Sequence, residues 1–166
     1  VLLADALRKG AGATDEQIAS TERWIETQGK MLGVSDDELR PAMSNLAAAT
    51  KDVGKAQDLA SLAMDVSAGR HVELGSVAKA LARAQQGNVS GLARLGVQTK
   101  KANGETKSLK EITADLAKTY GGAAAKAADT NAGRQKILSV RLSELGEKIG
   151  TAVLPAMDKM VQVGTK

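Results

Sequence analysis

Three times in this chain a Ser or Thr stands three residues ahead of a Glu or Gln at the mouth of an apolar-periodic run: Thr14 with Gln17, Ser35 with Glu38, and Ser108 with Glu111. That spacing is the capping box. The hydroxyl accepts from an orphan backbone N–H of the first helical turn, and the Glu or Gln side chain reaches back to the cap residue's own N–H. A chain that opens its apolar runs this way commits them to helix. Nothing competes, because no stretch alternates apolar and polar residues over several positions and β-branched clusters are short. The expected fold class is therefore all-α, a small helical bundle followed by a long C-terminal amphipathic, coiled-coil-forming helix.

Stop signals divide the rest. Gly10, Gly33, Gly69, Gly87 and Gly96 fall where helices should end, since a left-handed residue there carries no Cβ penalty. Helices are predicted near 1–9, 15–32, 36–50, 54–68, 73–86, 89–95 and 109–119, with a long final one from about 122. Pro41 removes one helical donor six residues after Ser35, which predicts a kink or a late start near Leu39. The polar stretch 97–108 contains Asn103-Gly104, a type I′ turn signal, and predicts a small hairpin or an exposed loop. No repeat of solenoid length stands out. The expected division is a compact helical domain over 1–120 and a long helix over 121–166.

The final helix is the most informative element. Leu138, Leu142, Leu145, Ile149, Ala152 and Ala156 follow alternating spacings of four and three, the narrow stripe of a coiled-coil seam. Val153, Met160 and Val163 extend it, while Arg134, Lys136, Arg141, Glu144, Glu147 and Lys148 occupy the other faces. Pro155 predicts a kink or a fresh helix start near Leu154. The stripe has two readings, an oligomer seam or a face that packs back on the preceding helices.

Core material bears on stability. Phe is absent, and Trp24 and Tyr120 are the only aromatics among 166 residues, so a core must come from Leu, Val, Ile, Met and much Ala. Ala favours helix and lets backbones approach closely, but it buries little area per residue. Thin helical layers and marginal stability are expected. Trp24, with Ile18, Ile25 and Leu32 at helical spacing, reads as a core anchor.

Little chemistry is on offer. With no Cys and one His, thiolate sites, disulfides and zinc are excluded. His71 sits beside Arg70 and Glu73 at a helix boundary, where an exposed or capping role is expected rather than a catalytic one. Asp36-Asp37-Glu38 fits the first-turn preference for acids set by the helix dipole. Gly121-Gly122 lacks the strand and the Gly-Lys-Ser/Thr of a phosphate loop, so it reads as a chain break. No catalytic, cofactor or metal residues are assigned, and an enzyme is not expected. The net charge of +4 is spread among alternating acids and bases. Lys100, Lys101, Lys107 and Lys110 form the densest basic patch, for which a weak, salt-sensitive and non-specific DNA contact is the most to expect. No run reaches the roughly 18 apolar residues of a bilayer span. The start at Val1-Leu2-Leu3-Ala4, without a basic leader or Met, suggests a piece of a longer chain and no signal peptide.

Three stretches resemble tape measure proteins of long-tailed (siphovirus-type) bacteriophages, particularly those infecting actinobacteria. They are Gly33–Ala42 with Asp52-Val53 and Ala56–Ala60; Leu81–Ala84 leading into Gly87–Val97; and Tyr120–Ala125 continuing through Ala132-Gly133-Arg134 to Leu145–Gly150 and Leu154-Pro155. In order they cover most of residues 15–160. The sequence departs from the family in lacking aromatics near the final helix and after Leu95-Gly96-Val97, and in a more polar 98–107 loop. The resemblance implies a virion structural protein in the lumen of the tail tube, setting tail length and taking part in tail assembly and genome ejection. It also implies homo-oligomers, with a trimer as first candidate, contacts to tail-tube and tail-tip proteins, and host-membrane contact during ejection. It implies no cofactor. The competing expectation is a generic oligomerising helical interaction module.

Overall fold

A computed structural model describes the backbone of residues 2–163; in the last helix, side chains are described as far as Thr151, and at Val153. All three capping boxes form. Ser108, for example, accepts from the Glu111 N–H at 3.2 Å while its own N–H donates to Glu111 Oε2 at 2.8 Å, and Thr14 and Ser35 do the same with Gln17 and Glu38. Among the described residues the chain is all-helical. Its helices are α1 (Leu2–Ala11), α2 (Asp15–Leu32), α3 (Asp36–Thr50), α4 (Val53–Arg70), α5 (Leu74–Gln85), α6 (Ser90–Arg94), α7 (Leu109–Tyr120), α8 (Ala123–Ala128) and α9 (Asn131–Val163).

α3 is the axis of the body. Its Leu39, Ala42, Met43, Leu46 and Ala47 are fully buried and face α1, α4 and α5. Alanine and glycine set the spacing. A Cβ on Gly10 would stand 3.1 Å from Ala48 Cα, so a side chain there would press α1 and α3 apart by a few tenths of an ångström. The core is otherwise aliphatic: Leu7, Ile25, Leu81, Leu92 and Ile112 are its large fully buried members, with Ala56, Ala60, Ala63 and Ala78 between them.

Several sequence expectations are corrected. α3 begins on its Ser35 cap and runs through Pro41 rather than starting near Leu39. At this early helical position the ring sits on the exposed side, and the capping box outweighs the one lost bond. Gly10 and Gly69 are not stops: α1 ends one residue before the left-handed Gly12, and α4 continues to Arg70 with His71 as its left-handed cap at φ 56°. The expected single helix from about 122 is two. Thr130 divides them, its hydroxyl donating to the Ala127 carbonyl at 2.7 Å and accepting from the Gly133 N–H at 3.0 Å. The run of small residues hides that cap because no Glu or Gln stands three residues on. α8 belongs to the body, since Ala124 and Ala128 are buried against it and the Asp65 carboxylate of α4 accepts from the N–H groups of Gly122 and Ala124, each at 3.0 Å. Trp24 is only half-buried at the core's edge, with Ile18 and Ile25 inside it.

The polar stretch after α6 forms a short turn. Lys101 N–H donates to the Glu105 carbonyl at 2.8 Å, and Gly104 takes φ 86°. One isolated antiparallel bridge, Lys100 to Thr106, is its only sheet-like pairing among the described residues.

Candidate functional site

α9 leaves the body at Thr130 and runs back along α2 in the opposite direction. Gly29 of α2 and Gly33, the left-handed cap that ends α2, lie beneath α9. A Cβ on Gly33 would lie 3.0 Å from Ile137, and one on Gly29 would lie 3.3 Å from the Glu144 carboxylate. The polar contacts follow the same line: Arg141 Nη2 donates to the Lys30 carbonyl at 2.7 Å, and the Lys148 ammonium stands 3.6 Å from Glu26. The Lys30 carbonyl is one of the last four of its helix and has no intrahelical donor, so the guanidinium fills a vacancy every helix end leaves. Lys30, and behind it Lys148, hold the Glu26 carboxyl below the usual range.

Ile137, Arg141, Glu144 and Lys148 are spaced four, three and four, so they form one stripe, and that stripe is the docking face. The seam Leu138, Leu142, Leu145 and Ile149 lies one residue on, about 100° around the helix. It is not covered. Leu138 is 58% exposed, Leu142 59%, Leu145 55% and Ile149 62%, and Val153 beyond them is 45% exposed. Of the two sequence readings of the stripe, packing back on the preceding helices does not occur. The side chains of Ala152, Ala156, Met160 and Val163 lie outside the described residues; the backbone continues as one helix through Pro155, without the fresh start expected near Leu154. No described α9 side chain is buried, so the helix is held by the polar line and the close glycine contact. Sequence reading missed this docking face because it searched for apolar periodicity. The available signal was Gly29 with the cap Gly33, two positions without a side chain where α9 passes close.

The remaining candidates are placed as follows. His71 caps α4 and is exposed, at the edge of a cleft of about 410 Å³ shared with Glu38, Glu73 and Lys136. Asp36 pairs with Arg40 at 3.1 Å, and Glu38 is used by its capping box. No cluster that could hold a metal occurs among the described residues. Gly121 and Gly122 do break the chain, between α7 and α8. The basic patch is half neutralised: Lys101 pairs with Glu111 at 3.2 Å and Lys107 with Asp115 at 2.6 Å. No described helix is long and apolar enough to cross a membrane.

No family model, no curated protein and no solved structure matches the chain.

Proposed function

We propose that the chain is a non-enzymatic, structural segment of a tape measure protein of a long-tailed bacteriophage. In this reading it sits in the tail-tube lumen, and α9 is its self-association helix. The observation that carries the reading is the free apolar stripe of α9, beside a docking face that leaves it free. A row of Leu and Ile in water is unfavourable by about 25 cal/mol per Å², and pairing with further copies of the same helix removes that row from water without disturbing the body. The ordered resemblance over residues 15–160 supplies the biological setting, and with it the tail-tube and tail-tip proteins as partners.

Charge selects the orientation. In heptad terms Leu142 and Ile149 take position a, Leu138 and Leu145 take d, Arg141 and Lys148 take g, and Ser139, Gly146 and Val153 take e. Antiparallel partners would set these cations against their own counterparts. Parallel partners set them against uncharged Gly146 and Val153, so parallel copies are the proposed arrangement; Arg141 and Lys148 also hold α9 on α2, which draws off part of that charge.

The test is on the virion. Removing whole heptads from the extended helical region of the parent gene shortens the tail by about 1.5 Å per residue, measured by electron microscopy. Viable particles with tails of unchanged length would remove the ruler role and leave an oligomerising helical module, which the same stripe also supports.

A further inference from the structure

The end of α4, the loop after α6 and the last turn of α7 enclose a second feature, independent of α9 and of the tail reading. Arg70 crosses beneath the loop there. Its Nη1 donates to the Tyr120 hydroxyl at 2.8 Å, and its guanidinium carbon lies 6.0 Å from the centre of that ring. Two glycines hold this arrangement. A Cβ on Gly69 would collide with the Tyr120 ring, and one on Gly96, where φ is 75°, would collide with the Arg70 guanidinium. The only tyrosine and a half-buried arginine thus meet where Gly69 and Gly96 leave them room.

The pair is short of acceptors. Arg70 Nε is buried with no hydrogen-bond partner, and buried donors in folded proteins are nearly always satisfied. Neither Arg70 nor Lys118 has a carboxylate partner among the described residues. The Tyr120 hydroxyl accepts from Arg70, and no acceptor for its own proton occurs among the described residues. All three line one open cleft of about 580 Å³ with Gln98, and its one carboxylate, Asp115, is taken by Lys107 at 2.6 Å. The cleft therefore presents two unpaired cations, a phenolic O–H and an amide, and no free anion.

We propose that this cleft binds a phosphate dianion, either free phosphate or the phosphoryl group of a monoester. Two cations match a group that carries between one and two negative charges at neutral pH, and its several oxygens can take donors arriving from different elements. A carboxylate, with one charge, leaves one cation unmatched, and so does a phosphodiester. Arg70 contributes a guanidinium charge held in place by Gly96 and Tyr120, while Lys118 closes from the surface as a flexible point charge.

The experiment is an amide NMR titration of the whole chain with inorganic phosphate, against sodium chloride at matched ionic strength. Saturable shifts confined to Gly96, Gln98 and residues 118–120 are expected, with a rise in melting temperature that chloride does not give. Phenyl phosphate is expected to move the same amides, which extends the site to monoesters; free phosphate acting without it restricts the proposal to the free ion. Lys118→Ala, at an exposed position, and Tyr120→Phe are each expected to weaken phosphate binding about tenfold or more. These two variants carry the test should Arg70→Gln fail to fold. Shifts that grow without saturation and equally in chloride would overturn the site. Acetate binding as tightly as phosphate, or undiminished affinity in both variants, would do so too. A DNA duplex that moves these amides while free phosphate leaves them still would overturn the monoester assignment in favour of a backbone contact.

Discussion

Glu111 shows how much of this fold is written in single side chains. Its carboxylate accepts from the Ser108 backbone N–H and hydroxyl and faces the Lys101 ammonium, which together hold its pKa at about 2 against an ordinary 4.5. A lowered folded value means that the group stabilises the fold above its unfolded pKa and loses that contribution as pH falls through about 2. The acid limb of α7 stability is thus expected between these two values. Carboxyl NMR titration checks it, and Ser108→Ala should return Glu111 towards its ordinary value. Asp65 does a similar job across 59 residues of chain rather than three. Asp65→Ala leaves two N–H groups at the head of α8 without their acceptor, so it should destabilise the protein by about 1–2 kcal/mol in chemical denaturation. The first of these sites was readable in the sequence, since Ser-x-x-Glu is local. The second was not, because nothing near Asp65 says which distant helix it will cap. Gly69 and Gly96 mark the same boundary. Both read as helix stops, but Gly69 lies inside α4, where its lack of a side chain makes space for Tyr120, and Gly96, left-handed as a stop should be, also makes space for Arg70.

Among the elements, α1 to α7 follow their caps and glycines to within one or two residues of expectation, because each boundary is set by local chemistry. The last region departs from that rule. One apolar-rich tract became two helices at Thr130, and α9 docks by its polar stripe. The seam itself was legible as periodicity, whereas its exposure depends on where α2 and its cap Gly33 meet α9. That separation makes the seam testable apart from the fold. Leu142→Glu alters a side chain that is 59% exposed, so the body's unfolding free energy should change by no more than about 0.5 kcal/mol. Self-association measured by light scattering should nevertheless be lost. Association that survives both this change and Ile149→Glu would place the interface elsewhere.

At the scale of the molecule, two kinds of helix serve different ends. In the body, helices fold back on one another around α3, so a residue there adds bulk and little extent. α9 is the one long helix, and its 33 residues rise by roughly 50 Å. On the proposed ruler reading only such helices would convert chain length into tail length at a constant rate, which is why the heptad deletions belong in extended helix.

Because α9 carries the body on one meridian and offers its apolar row on another, each copy in the assembly proposed above would be a pole with a pennant. The poles determine how far the assembly reaches. The pennants, projecting sideways at one level, determine its girth, and hence how wide a bore must be to admit all of them abreast.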